Sequence, residues 1–377
     1  MKAFLGKIWA FIKKEVVLSI AIVAAIVTCF FVPPDAEYLH YFEYKTLIAL
    51  FCMLSVVAGL KHTNVFELIS KKMIGLFHSR RTVIYALVFG TYFFDMIVAN
   101  DMSLITFLPL AYIILHSTGN DRYLAITFIL MTIAANMGGM ITPYGNPQNL
   151  YLFSYYEMGL LDFLSALFVQ ALTILGMLFI SRLFIKNETL HLINDKKLEI
   201  KTKQLIVYAI LFVFVILSIF RVVPHIITLA LVILSILIMD RKRFKEVDYA
   251  LLATFCVFFV FSGNIARIPA ISNLIAGIVG PSGENVLVAG IVSCQFISNV
   301  PTAIFLSKFT DVAHSSDLLV AVNVGSLGII ISSLASLITL KEFLKHQPKG
   351  FMRYMLLFTG VNTTFLIVQL LVTFLRS

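Results

Sequence analysis

The sequence predicts an all-α integral membrane protein, and three observations predict it. Hydrophobic residue types make up 60% of the 377 residues and charged types only 13%, against about 45–50% and about 25% in a soluble domain. The apolar residues fall in runs close to the ~20 residues that cross a bilayer as a helix. The basic residues, which bring the net charge to +9, sit in short clusters between those runs. That placement marks membrane topology and argues against a nucleic-acid surface.

The elements follow in order. Lys2, Lys7, Lys13 and Lys14 precede an apolar run from Val16 to Val32 that ends at Pro33-Pro34. No small-residue exit site interrupts it, so it reads as a retained first span and not a cleaved signal. The expected crossings are 16–33, 45–60, 122–153, 162–184, 204–222, 225–239, 249–266, 317–340 and 351–375, about nine transmembrane helices. Two further apolar stretches, 82–116 and 284–310, carry polar tips: Ala99-Asn100-Asp101 and Ser298-Asn299-Val300-Pro301. Each is read as a re-entrant hairpin, because backbone turns at membrane depth only when protein or a cavity surrounds it. Charge tests the count. With the N-terminus in the cytoplasm, Lys61 to Arg81, Lys186 to Lys203, Arg241 to Lys245 and Lys341 to Arg353 all fall inside if both hairpins return to the side they entered. A multi-pass protein of the plasma membrane is expected, N-terminus cytoplasmic.

The two halves echo each other. Ala135-Asn136-Met137-Gly138-Gly139 aligns with Val322-Asn323-Val324-Gly325-Ser326, and Asn100 with Asn299. An amphipathic stretch precedes each hairpin, Val65 to Phe77 and Pro269 to Val279. The division expected is an N-terminal span and loop (1–44), a first repeat (45–184), a cytoplasmic linker (185–203) and a scaffold span with the second repeat (204–377). By the charge argument the hairpins enter from opposite sides, so the repeats are inverted. Interrupted hydrophobic segments at matching places in two inverted halves point to a secondary transporter's binding site.

The richest interruption is Gly138-Gly139-Met140-Ile141-Thr142-Pro143-Tyr144-Gly145-Asn146-Pro147-Gln148-Asn149. No regular helix continues through it. The freed carbonyls suit a cation and the freed N–H groups an anion. Its counterpart in the second half, Gly325, Ser326, Gly328, Ser332, Ser333 and Ser336, offers hydroxyls instead of amides. Asp101, at the first tip, costs about 2.5–3.5 kcal/mol at the bilayer centre. It is expected to meet sodium or carry a proton; a salt bridge is the structural alternative. Asp95 reads equally as coupling or structural. The four cysteines and eight histidines show no metal-ligand spacing, and no nucleotide-binding or hydrolase motif occurs. No cofactor is expected and the chain is read as no enzyme.

At these residues the sequence resembles the ion transporter superfamily, which holds sodium-coupled di- and tricarboxylate symporters, citrate transporters, arsenite efflux pumps and one type of sodium/proton antiporter. The shared features are the two polar tips and the Gly145-Asn146-Pro147-Gln148-Asn149 turn. Asp101 stands where the carboxylate symporters carry Thr, and Gln148 where they carry a second Pro. The resemblance implies a homodimer, an elevator motion, and a substrate site between the two tips and the two breaks. Substrate would meet Asn100, Thr142, Asn146, Pro147, Asn149, Ser298, Asn299, Thr302, Ser332 and Ser333. A coupling sodium ion or proton would meet Asn100, Asp101, Gly145, Ser298 and Asn299. The expected substrate is a small anion, a di- or tricarboxylate or similar oxyanion. Arsenite efflux and sodium/proton exchange are the runners-up. A channel would not need two mirrored access routes, and a membrane enzyme would want clustered acids or histidines at one interface.

Overall fold

The computed structural model describes residues 11–12, 15–74, 77–98, 100–189 and 199–375. The N-terminal lysines, Ala99 at the first tip and residues 190–198 of the expected linker lie outside the described residues. The helices are α1 Val16–Phe31, α2 Tyr44–Lys61, α3 Val65–Ile74, α4 Arg80–Asp95, α5 Asn100–Ser117, α6 Leu124–Gly138, α7 Pro147–Tyr155, α8 Leu160–Ser181 and α9 Thr202–Ile219. They continue with α10 His225–Met239, α11 Tyr249–Ala266, α12 Pro269–Val279, α13 Gly283–Ile297, α14 Asn299–Leu306, α15 Ser315–Val324, α16 Leu334–His346 and α17 Phe351–Phe374. Among the described residues no strand forms beyond one bridge, Ser79 to Thr189.

Six helical segments are long and apolar enough to cross a membrane: Tyr44–Lys61, Asp121–Ile141, Leu160–Phe184, Thr202–Ile219, Tyr249–Ala266 and Pro348–Phe374. The other three expected crossings are shorter apolar helices, Val16–Phe31, His225–Met239 and Val312–Val324. Large apolar side chains face outward along these helices; Leu161 is 80% and Ile238 83% exposed. Apolar surface on that scale requires lipid around it, and the chain is a multi-pass membrane protein.

Both expected hairpins form. Helices α4 and α5 pack on each other and both pack on α6. The start of α4 meets the end of α5, because Arg80 Nη1 donates to Asn120 Oδ1 at 3.1 Å. Rings of Phe94 and Phe107 close the tip end with centroids 5.5 Å apart. Helices α13 and α14 likewise pack on each other and on α15. The start of α13 returns to the level of α15: a Cβ on Gly283 would lie 2.4 Å from Asp317 Oδ2. The amphipathic α12 turns into α13 through 114°. Gly280, at φ +60°, makes that corner, a left-handed conformation that suits glycine.

The packing divides into two sets. Helices α1, α2, α9, α10 and α11 contact one another, through α1 on α11 and α2 on α9 and α10. The hairpins, the broken helices, α8 and α17 form the other set, joined to the first mainly by α2 on α7 and α11 on α14. Each hairpin's second arm lies against the other half's break: α5 on α16, α14 on α7.

Arg80 ties the base of the first hairpin to the linker. It is fully buried, yet every arm of its guanidinium is occupied. Nε and Nη2 donate to Lys186 O at 3.1 and 2.8 Å, and Nη1 reaches Asn120 and the Glu188 carboxylate. The Arg80 guanidinium holds the Glu188 carboxyl below its ordinary range. Removing this side chain strands buried carbonyls and empties its volume. Arg80→Ala is expected to cost roughly 2–4 kcal/mol, read as a lower unfolding temperature in detergent. Arg267, at the end of α11, is clamped. It donates to both oxygens of Asp35 at 3.0 and 2.6 Å and to Tyr41.

Candidate functional site

The first break lies between α6 and α7. Helix α6 stops at Gly138, a short 3-10 turn covers Gly139–Ile141, and Thr142 and Asn146 are extended. Pro147 then starts α7 at its first position, where its missing N–H costs nothing. Two asparagines knit the gap. Asn146 Nδ2 donates to Asn136 O at 3.0 Å and Asn149 Nδ2 to Gly139 O at 3.2 Å. Thr142 Oγ1 donates to Met96 O at 2.9 Å, fastening the break to the first hairpin's turn. A Cβ on Gly145 would come 2.4 Å from Gly139 O, so the loop closes this tightly only with glycine there.

Asp95, the last residue of α4, reaches into this break. It is completely buried. Ser103 Oγ donates to its Oδ1 at 2.8 Å, across the hairpin. Its Oδ2 is buried facing the Gly139 backbone N–H without a hydrogen bond of normal geometry, and Asn146 Oδ1 is buried without a donor. Both oxygens turn to one place, since a Cβ built on Gly139 would lie 2.4 Å from each. Asp101 follows in the first turn of α5, half-buried, with its own Oδ1 unpartnered. The charge that acts on it is a second acid, Asp248, at the N-cap of α11. Among the described residues no lysine, arginine or histidine pairs with Asp95 or Asp101.

The second hairpin repeats the tip geometry. Asn100 Oδ1 accepts from the next backbone N–H, Asp101, at 2.9 Å; Asn299 Oδ1 accepts from Val300 N at 3.0 Å. Each fold-back leaves the amide NH₂ uncommitted. Ser298 holds φ +72° and its Oγ donates to Ser332 O at 3.4 Å, fastening this tip to the second break. Ser332 Oγ closes that break internally on Ser326 O at 2.8 Å and Ile329 O at 2.7 Å. Ser333 caps α16 by accepting from Ala335 N. Thr302 Oγ1 turns back to Ser298 O at 2.8 Å, inside its own helix.

Two buried bonds cross between the halves at matching places. Ser333 Oγ donates to Asn136 Oδ1 at 2.7 Å, and Asn323 Nδ2 to Asn149 Oδ1 at 2.7 Å. Gln148 Nε2 also approaches Asn323 Oδ1, at 3.5 Å. The residues expected to form one site thus make two clusters that meet at these bonds. Asp95, Asn100, Asp101, Thr142, Gly145, Asn146, Pro147 and Asn149 belong to the first; Ser298, Asn299, Thr302, Ser332 and Ser333 belong to the second. Asn149 and Ser333 spend both their polar functions inside the protein. Asn136, Asn323 and Gln295 take part without having been singled out as site residues. For Asn136 and Asn323 a signal existed, since they set the register of the repeat.

Comparison with known proteins agrees with this architecture. The sequence profile described as "Citrate transporter" matches residues 7–327. An uncharacterized transporter of Methanocaldococcus jannaschii is 32% identical over 318 residues, 81% of this chain and 82% of its own. The inner membrane protein YbiR of Escherichia coli is 24% identical over 334 residues, 86% of each chain. The chain belongs to the citrate transporter family of membrane transporters.

Proposed function

We propose that this protein is an ion-coupled secondary active transporter of a small anion, a di- or tricarboxylate or a similar oxyanion. The observation that carries the coupling is the pair of carboxylates, Asp95 and Asp101, placed beside the first break with no basic partner. An uncompensated acid inside a membrane protein marks an ion or proton pathway. Oxygen-only ligands suit a hard cation such as sodium; a proton on either carboxyl would serve the same end. The free amide NH₂ groups of Asn100 and Asn299 suit the anion's oxygens. The family description supports a citrate-like substrate. Alternating access by an elevator motion in a homodimer of the plasma membrane, N-terminus cytoplasmic, rests on the resemblance and on the two packing sets.

A second reading is sodium/proton exchange. It is favoured by one observation: among the described residues, no lysine or arginine side chain bonds to any residue of the two clusters. Arsenite efflux belongs with it, since that cargo needs no fixed positive charge.

The test is reconstitution of the purified protein with labelled citrate, other carboxylates, arsenite and labelled sodium, under imposed sodium and pH gradients. Asp101→Asn is expected to remove the dependence of transport on the driving gradient while leaving slow exchange. Asp101→Asn vesicles that still follow the gradient would exclude Asp101 from coupling, and sodium movement without any anion would favour exchange.

A further inference from the structure

The two breaks differ in one respect that sets how many cations the protein moves. At the first break two buried acceptors, Asp95 Oδ2 and Asn146 Oδ1, lie without hydrogen bonds against Gly139, with the half-buried Asp101 Oδ1 likewise unpartnered. Buried oxygens left this way are unfavourable unless a cation or proton reaches them. At the second break the corresponding place is already filled. Gln295 stands four residues before Asn299, as Asp95 stands five before Asn100. Its side chain enters the gap between α15 and α16. Nε2 donates to Gly325 O at 2.9 Å and to Leu327 O at 3.0 Å, and Oε1 accepts from Ile329 N at 3.1 Å.

Gly325 is the residue that aligns with Gly138, so the carbonyls Gln295 satisfies are those freed by the second interruption. An amide NH₂ has two N–H donors, and these two carbonyls are its shorter contacts, with Ile291 O on its own helix at 3.3 Å. Gly328 is part of the fit. It adopts φ +108°, and a Cβ there would lie 2.3 Å from Gln295 Oε1. The carbonyls of the second break are thus met by a neutral amide. The first break is acidic, and Asp95 Oδ2 and Asn146 Oδ1 are left without hydrogen bonds.

We infer that the chain carries a single coupling-cation site, at Asp95 and Asn146 with the Asp101 carboxylate beside it, and that Gln295 is a built-in neutral substitute for a cation in the second half. This inference rests on the coupling reading above and adds its stoichiometry: one cation or proton per cycle through the two breaks, with Gln295 the residue that sets the number. A carboxylate in its place would present oxygens to the same carbonyls and demand a cation of its own.

The experiment is transport by reconstituted protein, titrated with sodium chloride at fixed pH and with pH at fixed sodium. Wild type is expected to follow the driving cation with a Hill coefficient of about 1, and Gln295→Glu with one of about 2, since the coefficient is bounded by the number of sites. Wild-type transport that follows the cation with a coefficient of about 2, lowered to about 1 by Asp95→Asn, would overturn the single-site inference and leave the coupling reading standing. Wild-type transport indifferent to both cations, or an Asp95→Asn variant with unchanged cation dependence, would overturn the coupling reading and the inference with it. The wild-type titration decides the stoichiometry even if Gln295→Glu fails to fold. A folded Gln295→Glu, eluting as wild type does, with an unchanged coefficient would show that Gln295 does not set the number.

Discussion

Asp95→Asn is expected to abolish accumulation of substrate against its gradient while leaving the protein folded. One cation moving down a tenfold gradient supplies about 1.4 kcal/mol, enough for about tenfold accumulation of a neutral load. Without the site, accumulation should fall to the equilibrium ratio of about one. The substitution keeps the shape of the side chain, and Ser103 retains an oxygen to donate to. It also puts an N–H toward Asn146 Oδ1, the donor that oxygen lacks in the wild type. The variant should therefore unfold at the same or a higher temperature than wild type, because an unpaired buried carboxylate is costly. A purely structural Asp95 gives the opposite pattern: a lower unfolding temperature, with accumulation intact in the surviving protein. Measuring both quantities on one preparation separates the two roles.

The sequence was informative wherever a residue type conflicts with its surroundings. Asn100-Asp101 and Ser298-Asn299 interrupt long apolar runs, and both mark hairpin turns in the structure. The run of prolines and glycines from Gly138 to Pro147 breaks the helix, and the span expected at 122–153 divides at those two residues. What sequence could not give is which side chains meet. By sequence Asp95 reads equally as coupling or structural. It matters because the end of α4 lies against a break some forty residues later in the chain, a contact set by tertiary packing. Gln295 gave no signal, because a glutamine one turn before a polar tip reads as part of that tip. Its partners are carbonyls freed about thirty residues on. The expected substrate ligands Asn149, Thr302 and Ser332 stand out by residue type, yet each forms bonds within the protein. Type shows that polar groups are needed at a break and leaves open whether ligand or backbone uses them.

Two adjacent glycines offer the sharpest separation of fold from function. Gly138→Ala would place its Cβ 2.2 Å from the Tyr92 carbonyl oxygen. That atom is backbone of α4, which packs along α6. Neither helix has a rotamer to change, so one must move. Overpacking of this kind costs roughly 3 kcal/mol or more, and the variant is expected to lose yield and unfold at a clearly lower temperature. Gly139→Ala meets different atoms. Its Cβ would come 2.4 Å from Asp95 Oδ2 and from Asn146 Oδ1, the ends of two side chains that can shift at the expense of one hydrogen bond each. The fold should survive at a smaller cost, roughly 1–2 kcal/mol, while the paired oxygens are driven apart. Accumulation against a gradient should then be lost, as in Asp95→Asn, with yield near wild type. If Gly139→Ala instead retained full gradient-driven accumulation, those two oxygens could not form the coupling site. If Gly138→Ala were as stable as wild type, the close packing of α4 on α6 would be wrong.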